Sequence, residues 1–83
     1  MKKTDYNGHK NVIASALKDL RTSRGMSQGQ LAAKLQTYGI SIDQQMVSKI
    51  EHNARMVTDY ELVYLSAALG VTPAELLPTV ETL

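Results

Sequence analysis

The sequence predicts an all-α domain of five short helices, and three kinds of observation carry that reading. Ser27/Gln30, Thr58/Glu61 and Thr72/Glu75 each place a hydroxyl three residues before a Gln or Glu. Such a pair marks a helix start, because the two side chains reciprocally satisfy amides that the first turn leaves unpaired. Gly25, Gly39, Asn53 and Gly70 stand just beyond apolar stretches, where a residue in the left-handed conformation ends a helix. Between these marks the apolar residues recur every three or four positions, the spacing of one helix face.

The elements follow in order. Residues 1–8 read as a loose arm ending at Asn7-Gly8. The first helix runs from about His9 to Arg24, with Val12/Ile13, Ala16/Leu17, Leu20 and Arg21 as its inner stripe. Ser27 opens the second helix, whose buried face is Leu31, Ala32, Leu35 and Tyr38. The link between these two is so short that they must cross sharply. Ile40-Ser41-Ile42 alternates and could be extended, but reads better as a loop into a third helix from Gln44 to His52. Asp43 caps that helix, with Ile42 and Val47 as a hydrophobic staple, while Ser41 with Gln44 offers a competing start two residues earlier. Thr58 starts the fourth helix, stapled by Val57 and Leu62, with Leu62, Leu65, Ala68 and Leu69 facing inward. Thr72, Pro73 at N1 and the Val71–Leu76 staple start the fifth, which Pro78 stops. The organisation expected is an arm (1–8), one domain (9–78) and a short tail (79–83).

Composition narrows the function. At 83 residues without Cys, the chain has neither disulfides nor thiolate metal sites to support it. Phe and Trp are absent, so the core must be aliphatic. No apolar run approaches the roughly 20 residues that span a bilayer, and no apolar stretch follows the basic N-terminus as in a signal peptide. A cytoplasmic protein is expected. The net charge of +1 hides a division: residues 1–57 carry nine basic and four acidic groups, 9 − 4 = +5, and residues 58–83 carry only four acidic ones, −4. A basic working face and an acidic back would produce this split. His9 and His52 stand alone, no residues have metal-ligand spacing, and the glycines match no phosphate loop. The chain is therefore expected to be no enzyme and to need no metal, cofactor or small-molecule ligand.

The third helix carries the informative face. Val47 and Ile50 point one way, and Gln44, Gln45, Ser48 and Lys49 another. Gln matches the edge of adenine in the major groove, and Lys reaches guanine or phosphate. Polar helix faces are most often simply solvated, so the surroundings decide. The second and third helices make a helix-turn-helix candidate, in which the later helix lies in the major groove. Gln28 and the amides after Ser27 could hold a phosphate at a helix N-terminus. Lys34 and Arg55 could add backbone contacts, which position a protein on DNA without reading sequence.

Several separated runs, in order, resemble the phage-repressor/Cro-type (XRE-like) helix-turn-helix family. They are Arg21, Arg24-Gly25-Met26-Ser27-Gln28-Gly29-Gln30-Leu31-Ala32, Val47-Ser48-Lys49-Ile50-Glu51, Val57 to Leu62 and Ala68 to Leu77. The resemblance covers roughly residues 9–77 and implies a lambda-repressor-like bundle of five helices, in small sequence-specific DNA-binding regulators of bacteria and phages. By position it implies base reading by Gln44, Gln45 and Lys49 with Ser48 beside them, a phosphate contact at Gln28, and a structural ion pair between Arg21 and Glu51. The chain departs from the pattern in two places: about five extra residues around Gln36 to Ile40, and Asn53 where Gly is usual.

The resulting expectation is a transcriptional regulator, a repressor, that binds double-stranded DNA. Two-fold proteins read palindromic operators, and Leu76, Leu77, Val80 and Leu83 could supply a small homodimer interface or, for the first two, core. The competing expectation is an antitoxin or adaptor that uses the same fold to hold a protein.

Overall fold

The computed structural model describes residues 8–83, so all but the last residue of the expected arm lies outside the described residues. Five helices follow one another: α1 (Ala14–Ser23), α2 (Gln28–Thr37), α3 (Gln44–Glu51), α4 (Asp59–Leu69) and α5 (Pro73–Leu76). There is no strand among the described residues.

The starts are made by the side chains that the sequence marks. Ser27 Oγ accepts the Gln30 N–H at 3.0 Å while Gln30 Oε1 accepts the Ser27 N–H at 2.8 Å. Thr58 and Glu61 exchange the same two bonds at 3.3 and 3.0 Å. Between the two possible starts of α3, Asp43 prevails: its Oδ1 accepts the Met46 N–H at 2.8 Å, and Ser41 lies outside the helix. At α5, Glu75 Oε2 accepts the Thr72 N–H at 2.8 Å and the Thr72 hydroxyl at 3.3 Å.

The ends share one device. At α3 the Ala54 N–H reaches back to the Lys49 carbonyl at 2.8 Å and the Asn53 N–H to Ile50 at 3.1 Å. This paired closure needs a left-handed residue. Asn53, at φ 59°, is the one non-glycine residue with positive φ among the described residues. Asparagine tolerates that conformation better than most L residues. The same two bonds close α1, α2 and α4 over Gly25, Gly39 and Gly70.

The first helix differs from expectation. It begins at Ala14 rather than near His9, because Asn11 pins the preceding segment across the end of α3. Asn11 Nδ2 donates to the carbonyls of Ile50 (2.9 Å) and Arg55 (3.0 Å), and its Oδ1 accepts the Ile13 N–H at 3.0 Å. Val12 consequently faces solvent instead of joining the inner stripe.

Leu17, Leu31, Leu35, Ile42, Val47, Ile50, Leu65 and Leu76 are fully buried and form an aliphatic core. Each such side chain is worth roughly 1.5–3 kcal/mol of burial. Around that core α2 packs on α3 and α4, α1 on α3 and α5, and α4 on α5. The apolar spacing places Tyr38 in the buried face of α2, but the residue is exposed. It stands past the last helical residue, where its ring tilts against that of Tyr64 with centroids 5.7 Å apart. Leu76 belongs to the core, whereas Leu77 and Val80 are exposed. The tail makes a turn in which the Leu83 N–H reaches the Thr79 carbonyl at 2.8 Å. Leu83 lines a shallow cleft of about 170 Å³ together with Val12 and Ser15 at the start of α1.

Candidate nucleic-acid interface

Helix α3 divides its residues cleanly. Val47 and Ile50 have no exposed surface, while Gln44, Gln45 and Lys49 are exposed and Ser48 is half-buried. The Asp43 cap fixes one end of this face, and the Asn11 clasp holds the carbonyl of Ile50 near the other. Ser48 has a local neighbour, since its hydroxyl stands 3.4 Å from Nδ1 of His52, a nitrogen that also lies 2.7 Å from the Ser48 carbonyl.

Beneath that face three helices meet at one carboxylate. Arg21 of α1 donates from Nε to Glu51 Oε2 (2.6 Å) and from Nη2 to Oε1 (3.0 Å), and its Nη1 donates to the Met26 carbonyl (2.7 Å). Gln28, the first residue of α2, donates from Nε2 to the same Glu51 Oε1 at 3.0 Å. The Arg21 and Glu51 side chains are only 9% and 1% exposed. Burial pushes the Glu51 carboxyl up, but the bonds from Arg21 and Gln28 and the guanidinium charge outweigh it, so its pKa lies below the usual carboxylate value. Its hydrogen bond to Glu51 raises Arg21 against the opposing effect of burial.

The three candidate phosphate contacts are placed differently. The Gln28 carboxamide is directed to Glu51 and the Gln30 amide to Ser27 Oγ, which leaves the backbone amides of Gln28 and Gly29 as that helix end's donors. Lys34 is exposed in the last turn of α2. Arg55 makes a fork on Glu61 at 3.0 and 2.9 Å and donates to the Met56 carbonyl at 3.0 Å, yet its side chain keeps 23% of its surface exposed. The bond from Arg55 lowers the Glu61 carboxyl more than burial raises it. Glu61 thus caps α4 and anchors Arg55 at once. Sequence reading found only the cap, although a basic residue in the short loop before a capping Glu is a usable signal.

Sequence reading also missed Asn11, which orients the end of α3. The carbonyls it holds lie 39 and 44 residues away, and only its local bond from the Ile13 N–H could have marked it in sequence. His9 and His52 are not part of any group of three or more His, Asp or Glu residues able to hold a metal among the described residues. No helix there is long and apolar enough to cross a membrane.

Two helices joined by a turn, with a buried clasp at their base and an exposed polar face on the second, define a helix-turn-helix module. The helix-turn-helix family model matches residues 17–76, and the chain belongs to that family, of Cro/C1 (XRE-like) type. This is a family of DNA-binding regulators, and its fold is the lambda-repressor-like helical bundle seen here. Neither the curated proteins nor the solved structures give a match to the chain.

Proposed function

We propose that the protein is a sequence-specific regulator of transcription, a repressor, that inserts α3 into the major groove of double-stranded DNA. The observation that carries this reading is the division of α3, with Gln44, Gln45 and Lys49 exposed on one side and Val47 and Ile50 wholly buried on the other. Gln44 and Gln45, in the first turn of α3, reach base edges, with Ser48 and Lys49 following one turn later. The amides at the start of α2, Lys34 and the partly exposed Arg55 contact phosphates on either side. A single small domain makes few such contacts, so a homodimer on a palindromic operator supplies the rest.

Selection of bound duplexes from a random pool at physiological salt tests this. Gln44→Ala and Gln45→Ala should each relax the preference at particular base positions by about 1–3 kcal/mol. Weaker binding with an unchanged base profile in both variants would remove direct readout from the proposal. Sedimentation of the DNA complex tests the dimer, and one protomer per duplex would refute it.

A second reading has its own observation. Tyr60 and Val63, one turn apart on α4, and Met56 just before it are all more than half exposed, an apolar outer surface that suits a protein partner. On this reading the domain is an antitoxin or adaptor. Tyr60→Lys would then abolish partner capture while leaving the DNA profile intact.

A further inference from the structure

The first turn of α2 contains a glycine that its backbone does not require. Gly29 is the second residue of α2 and is not among the positive-φ residues. Any L residue fits its conformation, and glycine is the poorest helix former after proline. A reason lies across the junction with α3. A Cβ built on Gly29 would stand 3.2 Å from Oε1 of Gln44, an unusually tight approach, and at an ordinary contact distance of 3.7 Å from its Cδ. The Gln44 carboxamide therefore lies so close to α2 that a side chain at position 29 would press on its oxygen and make it give by a few tenths of an ångström.

We propose that Gly29 is a positioning residue for DNA readout, a notch in α2 that seats the Gln44 carboxamide before DNA arrives. The inference rests on the reading of α3 given above. A glutamine has several rotatable bonds, and fixing a rotamer-rich side chain on binding opposes affinity. Bidentate pairing also needs both hydrogen bonds in one plane at about 2.7–3.2 Å. A side chain already resting on α2 loses less freedom and keeps its plane. A methyl group at position 29 would displace the amide by a few tenths of an ångström, enough to weaken one bond of such a pair. The rest of the domain would be undisturbed, because the group that must yield is the far end of a flexible side chain.

The test compares Gly29→Ala, Gln44→Ala and the double variant by selection from a random duplex pool. The free proteins are followed by thermal melting and by the side-chain amide NMR signal of Gln44. Gly29→Ala should melt no lower than the parent and shift the Gln44 amide signal. It should reduce preference by about threefold or more at the base that Gln44 reads, part of the full bidentate discrimination. In the Gln44→Ala background it should change nothing. The proposal is overturned if Gly29→Ala leaves both the amide signal and the base profile unaltered, or alters the profile equally without Gln44. A Gln44→Ala profile identical to the parent's would instead overturn the reading of α3, whatever the amide signal shows.

Discussion

Arg21–Glu51 and Arg55–Glu61 pair the same two side chains in two settings. The first joins residues 30 apart and fastens α1 to α3, with Gln28 adding α2. The second joins residues six apart and stitches a loop to the start of α4. Exposure follows the same order, 9% and 1% for the first pair against 23% and 8% for the second. Burial raises both the cost of placing the charges and the penalty for separating them. The deeper pair is consequently committed to holding α3 in place. The shallower one keeps 23% of the Arg55 side chain exposed, and the proposed reading gives that arginine a phosphate contact as well.

The largest effect should come from Arg21→Ala. It strands the Glu51 carboxylate with only Gln28 as a donor, and breaking a buried pair in this way costs about 3–5 kcal/mol. For so small a domain that is a large share of the total stability. Urea unfolding measures it, and a loss near that of an ordinary surface substitution would show that the clasp is dispensable.

Acid attacks both pairs together. Glu51 and Glu61 each have a folded pKa below the ordinary value, so each contributes stability that is present above the unfolded pKa, about 4.3. That contribution is lost as the pH falls through the folded value. Stability should hold at neutral pH and drop from the ordinary Glu range downward. Glu51→Gln should flatten much of that dependence, and an unchanged pH profile in this variant would contradict the assignment.

The contrast between the pairs also marks how far the sequence could be read. Starts and ends of α2 to α4 were legible, because a cap joins a side chain to an amide three residues away, as at Ser27, Asp43 and Thr58. The start of α1 was not, since apolar spacing continues back past Ala14 while Asn11, besides taking the Ile13 N–H, is tied to carbonyls on the far side of the fold. Tyr38 continues the apolar spacing of α2 one residue past the end of the helix, where the inner face no longer exists. In the candidate site the polar face of α3 was legible from periodicity alone. The bond from Gln28 to Glu51 and the fork of Arg55 on Glu61 were not, because spacing says nothing about which donor a carboxylate will accept from.

Arg55→Ala should fall well short of Arg21→Ala in stability, at about 1.5–3 kcal/mol for hydrogen bonds to a charged group. Glu61 keeps its bond from the Thr58 N–H at 3.0 Å, which retains the start of α4. The same variant should weaken binding to all DNA sequences alike and flatten the salt dependence, by about 0.9 in log–log slope for each phosphate it no longer neutralises. An unaltered slope would place Arg55 with Arg21 as a wholly structural residue.

The smallest effect, and the most discriminating, is expected from Gln28→Ala. Glu51 would keep both bonds from Arg21, so the stability lost is that of one hydrogen bond, about 1 kcal/mol. The backbone amides at the start of α2 would be unchanged, and phosphate binding through them should survive. Affinity should therefore drop slightly and by a similar factor on every duplex, measured by titration against preferred and scrambled sites. A changed base preference would mean something else: that the bond from Gln28 sets the angle of α3 in the groove, and that the clasp beneath the reading face also governs what it reads.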